Sequence, residues 1–541
     1  MRVGSSLPAG LVRAPLNAQM AHVDDDDNDA IAPSSAVMRS DGLEDRKTAE
    51  DETAIVAEPR VGLDDDGGGV VAVSDEAANQ RIRRQDDDAM QFDRRVLPLI
   101  CCLYILSYVD RGNIGNAKTA GAKDDLGLDS TQWAWVLNAF YVCYVAFEWT
   151  TMFWKFFPAH LLVSLLCLWY TCSWGAAAMS SGAARNMAHL VVSRCFLGVF
   201  EAMFGSGAPY FLSMLYRRRE LGFRMSLMVG MSPLANTFAS SLAYGITQIR
   251  GSLARWRLLL IIEGALTVVF APVAYFFLID SPSTARFLSK EDRVLAVERL
   301  QHKDSTTKSG VRWTQVAAGL SDYKNYVHAL IHFCANYSFA ALSNFLPSIV
   351  KDLGYDAVQA QGLTAPAYLA AFLVCVAASY GSDRFGRRGL VIAGTSALGV
   401  VGYGLLAAVR DADRAGTRYA GVWLAACGVF PALCINVTWG LNNQGGDSKK
   451  GAGLAIFLTL GQCSSFVSSV VFPESDAPFY TRGCAIGCGL TGLIFFASLC
   501  MTAALSRENR RRDRLYGAVD PNAEVDVTDE GDDHRRFRYL T

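Results

Sequence analysis

Several signatures of soluble catalytic and binding proteins are absent from this 541-residue chain. Its 14 cysteines include no Cys-x-x-Cys pair, so neither a metal site nor a disulfide framework is expected. No Gly-rich loop ends in Gly-Lys-Ser or Gly-Lys-Thr, which excludes the usual ATP-driven machinery. No nucleophile-base arrangement favours an enzyme, and no basic patch with interleaved aromatics favours nucleic-acid binding.

Charge is also scarce over long stretches of the chain, although 19% of all residues are charged. The hydrophobic residues, 51% of the total, are concentrated between about residues 96 and 505 in blocks of roughly twenty. Because about 20 apolar helical residues cross a bilayer core, these blocks predict a polytopic helical membrane protein. Twelve spans are predicted, at 96–117, 132–153, 159–179, 188–213, 223–247, 256–279, 326–350, 362–381, 389–408, 419–441, 452–472 and 484–505.

A polar segment separates the spans into two sets of six, which indicates an internal duplication of topology. The predicted fold is an all-α membrane protein with six-helix halves at 91–280 and 326–505. The central loop, 281–325, is expected to be cytoplasmic and to contain a short helix over 289–300. Residues 1–90 are acidic and lack an apolar signal-peptide core, so they predict a disordered cytoplasmic tail. Residues 506–541 predict a second cytoplasmic tail.

Lys and Arg residues indicate the orientation. The short loops carry nearly equal numbers on the two sides of the membrane. Residues 81–95 before the first span, the central loop, and residues 507–514 after the last span add five, eight and five Lys or Arg residues to one side. Since cytoplasmic segments are enriched in these residues, both termini are predicted to be cytoplasmic.

The chain is organised around the stretch Val96–Ala117. Its uncharged part, Val96–Val109, is too short to cross a bilayer core of ~30 Å, so a spanning helix must carry Asp110 and Arg111 inside the membrane. Each such residue costs ~2.5–3.5 kcal/mol at a helix centre, and in proteins it faces a partner or a water-filled cavity. This pattern is typical of a transport pathway.

The fourth span supplies opposite charges. The helical rise places Arg194 at about the depth of Asp110, which predicts that these two residues pair. Glu201 follows two turns later on nearly the same face as Arg194. A carboxylate that exchanges a proton for a substrate anion would couple the two binding events. The alternative is a static ion-pair latch between two helices.

Three segments together resemble the anion:cation symporter branch of the major facilitator superfamily, and the fungal allantoate, nicotinate and pantothenate permease group most of all. They are SYVDRGNIGNA, RCFLGVFEAMFGSGAPYFLSMLYRRRE and IIEGALTVVFAPVAYFFLIDSP. The segments LSNFLPSIVKDLGYDAVQAQGLTAPAYL and YGSDRFGRRG of the second half match the same group in spacing. The resemblance covers about residues 90–510, and it implies two six-helix halves with a substrate site between them, working by alternating access.

The resemblance also implies roles for individual residues. Tyr108 would line the site, Asp110 would be a coupling carboxylate and Arg111 would contact the substrate anion. Arg194 would pair with Asp110, and Glu201 would carry the transported proton. A second-helix tyrosine facing the cavity would be Tyr144.

The sequence departs from this group at two places. Where the group has Glu-x-Pro-Ser-Asn, the chain reads Glu148-Trp-Thr-Thr, and no Gly-x-x-x-Asp-Arg-x-Gly-Arg motif follows it. The corresponding motif of the second half is intact from Gly381 to Arg388. In the eleventh helix a common Gly-Asn pair is replaced by Gly461-Gln462, so Gln462 is expected to contact the substrate and to alter which anion fits.

Weaker candidates lie elsewhere in the spans. Asp383, Arg384 and Arg388 predict a cytoplasmic gate, and the competing interpretation is anchoring by positive charge. Glu263 is more simply a structural pairing residue of the sixth helix than a site residue. Other polar or aromatic groups could complete the far wall of the pocket or hydrogen-bond between helices: Asn336, Asn344, Trp439, Asn442 and Asn443.

The sequence therefore predicts a secondary transporter, monomeric and located in the plasma membrane, that imports a small organic anion with protons. Its partners would be the anion, protons and the lipid bilayer, and the proton gradient would take the place of a cofactor. Two alternatives remain open. One is a non-transporting nutrient receptor on the same fold, and the other is a proton-independent uniporter.

Overall fold

The computed structural model describes residues 90–152, 174–216, 218–249, 251–301, 312–411, 414–472, 474–519 and 531–541. The predicted N-terminal tail and most of the predicted third span therefore lie outside the described residues. We number the long helices α1 to α12 in chain order. Their bounds are Leu97–Thr119, Ser130–Phe147, 174–182, Met187–Leu215, Arg218–Thr247, Arg255–Phe277, Tyr323–Lys351, Ala357–Phe385, Arg388–Ala408, Ala415–Asn442, Asp447–Gln462 with its continuation Ser464–Val471, and Thr481–Tyr516.

Local sequence signals explain where several of these helices begin. Asp129 accepts the backbone N–H of Gln132 at 2.6 Å, and the Gln132 side chain accepts the N–H of Asp129, which forms a capping box at the start of α2. Asn186 and Asp322 cap α4 and α7 in the simpler way, through one side-chain oxygen. These caps satisfy N–H groups that a helix leaves unpaired at its first turn.

The helices are long enough for a membrane protein. The 23 residues of α1 extend for about 35 Å at ~1.5 Å per residue, which exceeds a bilayer core. Seven described helices are both long and apolar enough to span, namely α4, α6, α8, α9, α10, α11 and α12. The predicted short helix of the central loop is present at Lys290–Gln301, and a second one follows at Trp313–Ser321.

Residues 531–541 pack against one end of the bundle, which we call the tail face. The Asp532 carboxylate binds the ammonium groups of Lys324 and Lys449, at the first turns of α7 and α11. The Leu540 carbonyl accepts hydrogen bonds from Trp439 and Asn443 of the α10 end, at 2.8 and 2.9 Å. A segment predicted to be only a tail is therefore a packed part of the second half.

The two halves contact each other near both ends of the bundle. On the face opposite the tail, a Cβ atom on Gly115 of α1 would lie 2.7 Å from the backbone oxygen of Asn344 of α7, so the two backbones nearly touch. On the tail face, the hydroxyls of Ser226 in α5 and Thr438 in α10 are 3.0 Å apart. The centre of the molecule, where the predicted charges lie, is thus enclosed between two contact regions.

Candidate functional site

An ion pair between α1 and α4 forms the centre of the site. The Arg111 Nη2 atom lies 2.7 Å from Glu201 Oε1, and Arg111 Nε donates to the same oxygen at 2.9 Å. The Ser107 hydroxyl donates to this oxygen as well, at 2.7 Å. The second oxygen, Glu201 Oε2, is buried and has no hydrogen-bond partner among the described residues. One carboxylate oxygen is therefore saturated with donors while the other is available.

Aromatic rings surround the Arg111 guanidinium. Its Cζ atom lies 4.7 Å from the ring centres of both Tyr108 and Tyr144, and 5.4 Å from that of Phe140. The negative faces of aromatic rings attract a cation, most strongly where water is excluded. Arg111 itself is only 3% exposed, so ring contacts and Glu201 replace its hydration.

Two glycines of α4 allow α2 to bring these rings close. A Cβ atom on Gly198 would collide with the Phe140 carbonyl oxygen, and one on Gly205 would collide with the Tyr144 hydroxyl. They lie seven residues apart, two helical turns, and so share one face of α4. The helices can approach closely at these two positions because neither residue carries a side chain.

The predicted side-chain pair between Asp110 and Arg194 is not formed. Arg194 donates instead to the backbone oxygens of Asp110 and Arg111, at 3.3 and 3.4 Å. The Asp110 carboxylate accepts the Thr267 hydroxyl of α6 at 2.8 Å, and its second oxygen has no partner among the described residues. All of these charged side chains face the protein interior, but the cation that meets a carboxylate is Arg111.

Glu263, one turn before Thr267 on α6, differs from its predicted pairing role. It is 1% exposed, and neither of its carboxyl oxygens has a hydrogen-bond partner among the described residues. A buried ionised carboxylate without a partner is costly, so this position is a candidate for a neutral, protonated acid.

The second half supplies neutral polar groups to the site region. Asn336 of α7 donates to Gln462 Oε1 at 3.0 Å and to Ser465 Oγ at 3.1 Å, both on α11. One turn further along α7, the Phe339 ring lies 5.4 Å from the Tyr108 ring, edge to face. This contact joins the aromatic surround of Arg111 to α7. Asn344 also reaches the first half, where it donates to the Tyr141 hydroxyl at 3.3 Å.

The remaining sequence candidates lie near the tail face. Trp439 donates to the carbonyl of Leu540 and packs edge to face on His328 at 5.0 Å, so it belongs to the tail contact rather than to the Arg111 centre. Asp383 and Arg388 form an ion pair of 2.7 Å, next to Gly222 of α5 in the first half. The third predicted gate residue, Arg384, is exposed.

Sequence reasoning missed Ser107, Phe140 and Thr267. Ser107 lies four residues before Arg111, and a hydroxyl one turn before a buried cation was a usable signal. No comparable sequence signal indicates the role of Phe140, because phenylalanine is common throughout the spans. Within the described residues, no group of three His, Cys, Asp or Glu side chains is placed to hold a metal ion.

Comparisons with known proteins give the family. The model of the Major Facilitator Superfamily matches residues 100–469. The chain is 30% identical over 498 residues to the major facilitator-type transporter hxnP of Emericella nidulans, covering 90% of this chain and 99% of that protein. It is also 30% identical over 454 residues to the high-affinity nicotinic acid transporter of Saccharomyces cerevisiae, covering 83% and 84%.

Solved structures agree on the fold. The proton:xylose symporter XylE bound to 6-bromo-6-deoxy-D-glucose superposes with a TM-score of 0.58 at 15% identity, over 75% of this chain and 95% of that one. An inward-facing, unoccupied bacterial homologue of the human lysosomal transporter Spinster gives 0.55 at 13% identity, over 79% and 98%. The chain belongs to the major facilitator superfamily. It is a multi-pass membrane transporter with twelve helices in two six-helix halves, and it is not an enzyme.

Proposed function

We propose that this transporter imports a small organic anion together with protons. The observation that carries the proposal is the buried ion pair between Arg111 and Glu201, in which a single carboxylate oxygen holds three donors. Breaking a buried pair leaves an uncompensated charge at a cost of about 3–5 kcal/mol. Neither partner is therefore released unless another charge replaces the one it loses.

A proton and an anion are suitable replacements when they act together. A proton bound at Glu201 Oε2 neutralises the carboxyl group and weakens its hold on Arg111. The guanidinium then binds the carboxylate of the substrate through two parallel donors, which is the geometry that arginine favours. Each ligand makes the binding of the other more favourable, and such reciprocal coupling is what symport requires.

The surroundings of Arg111 favour a compact, flat anion. The rings of Tyr108 and Tyr144 lie against the guanidinium, so an aromatic or planar acid bound to Arg111 can stack on these rings. Asn336 and Gln462 offer amide groups from the second half. One relative is named a nicotinic acid transporter, and nicotinate is therefore the first substrate to test, followed by pantothenate and allantoate.

We place the protein in the plasma membrane with the tail face in the cytoplasm. The last turns of α12 and the segment before α1 concentrate Lys and Arg residues, as cytoplasmic segments do. Substrate and proton would then enter from the opposite face and leave at the tail face.

The test is uptake of labelled nicotinate into proteoliposomes with an imposed pH gradient, for the wild-type protein and for Glu201→Gln. The amide cannot bind and release the transported proton, so we expect Glu201→Gln to lower the accumulation ratio clearly below that of the wild type. Exchange of internal for external substrate, which needs no net proton movement, should persist.

A matched control is Glu291→Gln, which makes the same chemical change at an exposed helix position. It should accumulate substrate as the wild type does. Wild-type-like accumulation by Glu201→Gln would overturn the assignment of Glu201. If the wild-type protein equilibrated each anion of the panel without concentrating it, it would be a uniporter, and binding without uptake would define a receptor.

A further inference from the structure

A second buried carboxyl group lies at the end of α2. Glu148 begins the single-turn helix Glu148–Met152 and is 4% exposed. Its Oε1 atom accepts the Ser206 hydroxyl of α4 at 3.0 Å. Its Oε2 atom is buried and has no hydrogen-bond partner among the described residues. Half of this carboxyl group is thus satisfied and half is not.

The position of Glu148 between the halves sets it apart from the other buried acids. Ser206 belongs to the first half, whereas Thr459 and Cys463, which also face the carboxyl group, belong to α11 of the second half. Glu201 and Glu263, in contrast, have no neighbour from the second half among the contacts described above. Among the buried acids of the first half that the structure describes, Glu148 is therefore the one whose surroundings would change directly when the halves separate.

Glu148 also lies between the central ion pair and the tail face. It follows Tyr144 by four residues, one turn and about 6 Å further along α2, which runs towards the tail face. Tyr144 in turn contacts the Arg111 guanidinium. The titratable or charged groups near Glu148 are Arg111 from α1, Tyr144 from α2 and Cys463 from α11. Arg111 is already paired with Glu201, so no described cation is paired with Glu148.

These observations have one physical consequence. An ionised carboxylate that is buried without a cation is costly, whereas a protonated carboxyl group is neutral and can donate its O–H to a neighbouring oxygen. When the halves separate, α11 moves away and water reaches the carboxyl group, and hydration then stabilises its ionised form. Proton binding at such a position is linked to the closed state, because a ligand stabilises the conformation that binds it better.

We propose that Glu148 is a second proton-binding group of the transport cycle. It holds a proton on Oε2 while the two halves are closed around it, and it releases that proton to water when they separate on the tail face. In the release step the Oε2–H bond breaks, the electron pair stays on the carboxylate, and water accepts the proton. This inference rests on the proton coupling proposed above and adds a second site to it.

The test is the ratio of protons to substrate in proteoliposomes, measured with an internal pH dye and labelled nicotinate. We expect Glu148→Gln to lower this ratio by about one proton per substrate, because the amide cannot bind and release a proton. Exchange at equal pH on both sides should stay within about twofold of wild type, since exchange needs no net proton release. An unchanged ratio in Glu148→Gln would overturn the inference.

Two further variants separate proton binding from packing. Ser206→Ala removes the donor to Oε1 but leaves the carboxyl group, so its proton ratio should equal that of wild type. Glu148→Asp retains a carboxyl group but moves it away from α11. Its proton-to-substrate ratio should equal that of wild type, while the pH dependence of exchange should shift. If Glu148→Gln does not fold, a Glu148→Asp protein with the wild-type pH profile overturns the inference.

The results for Glu201 distinguish this inference from the proposed function. If Glu201→Gln accumulates substrate normally, the proposed coupling mechanism fails. If Glu201→Gln is uncoupled while Glu148→Gln keeps the wild-type ratio, only the role of Glu148 fails.

Discussion

The two halves share one helical plan but place their charges differently. In the first half, the ionisable groups lie within the spanning helices: Asp110, Arg111, Glu148, Arg194, Glu201 and Glu263 are all buried. In the second half, the middle of α7 and α11 carries amides and hydroxyls, such as Asn336, Gln462 and Ser465. Its ionic cluster lies at the tail face, where Lys324 and Lys449 bind Asp532.

This difference indicates that two halves with the same fold can have different functions in transport. Buried ions are costly in a membrane interior, and ionisable residues found there usually serve a function such as binding a substrate or a proton. Neutral amides cost less and give direction to a ligand without binding protons. We therefore expect changes in the first half to alter coupling, and changes in the second half to alter affinity or the stability of the tail contact.

The largest effect is expected from Arg111→Gln. This change removes the cation from Glu201 and from the anion, and loss of a buried partner costs about 3–5 kcal/mol, equivalent to more than about a hundredfold in rate or affinity. Substrate exchange should fall by at least that factor. Arg111→Lys keeps the charge but loses the planar fork, so it should restore only part of the activity.

Arg482→Gln is the matched control for Arg111→Gln, since it makes the same change at an exposed residue of the second half. Its exchange rate should equal that of wild type. Exchange by Arg111→Gln within twofold of wild type would contradict the first-half assignment.

A smaller effect, of a different kind, is expected from Asn336→Ala. The change removes a donor shared by Gln462 and Ser465, and leaving a buried polar group unsatisfied costs about 1–3 kcal/mol. The substrate concentration for half-maximal uptake should rise about tenfold, while the proton-to-substrate ratio stays at the wild-type value. A changed ratio would show that the second half also takes part in coupling.

The smallest effect on transport is expected from Asp532→Asn, which tests the tail contact. Burial alone would raise the pKa of Asp532, but the ammonium groups of Lys324 and Lys449 outweigh it and lower the pKa to about 2. The unfolded value is about 3.9, so docking is more stable by about 2 kcal/mol when the carboxylate is ionised. This stability is present above about pH 4 and is lost as the pH falls towards 2.

Limited trypsin cleavage in the tail of the purified protein measures this contact at neutral pH. Asp532→Asn should be cleaved about thirtyfold faster than wild type, because the loss of about 2 kcal/mol raises the population of the undocked tail by that factor. The exposed neighbour provides the control, and Asp533→Asn should be cleaved at the wild-type rate. Equal cleavage of the two variants would mean that the ion pair does not hold the tail.

Much of the fold could be predicted because a segment that spans a membrane must be apolar over about twenty residues. Long apolar blocks fixed the number of spans, and caps such as Asp129 and Asn186 lie within a few residues of the predicted starts. The four charges near the centre could be predicted as buried for the same reason. Their pairing could not, because helical rise gives the depth of Asp110 and Arg194 but not the direction in which each side chain points.

The tail contact was beyond the same reasoning. Residues 531–541 are polar and short, with Phe537 and Tyr539 as the only large apolar side chains that become buried. Their docking depends on Lys324, Lys449 and Arg512, which are far away in sequence and unremarkable on their own. Glu148 was visible in the sequence as part of an altered motif, but its place between the halves follows only from the packing of α2 against α4 and α11.

The contact of Gly115 with Asn344 bears on how well the transporter resists leakage. Side chains on a protein surface change rotamer within nanoseconds, so a seal made only of side chains would flicker open for small ions. Here main chain meets main chain, and a gap appears only when whole helices move, which takes microseconds to milliseconds. The proton gradient that we propose as the driving force would thereby be protected in the intervals between substrate molecules.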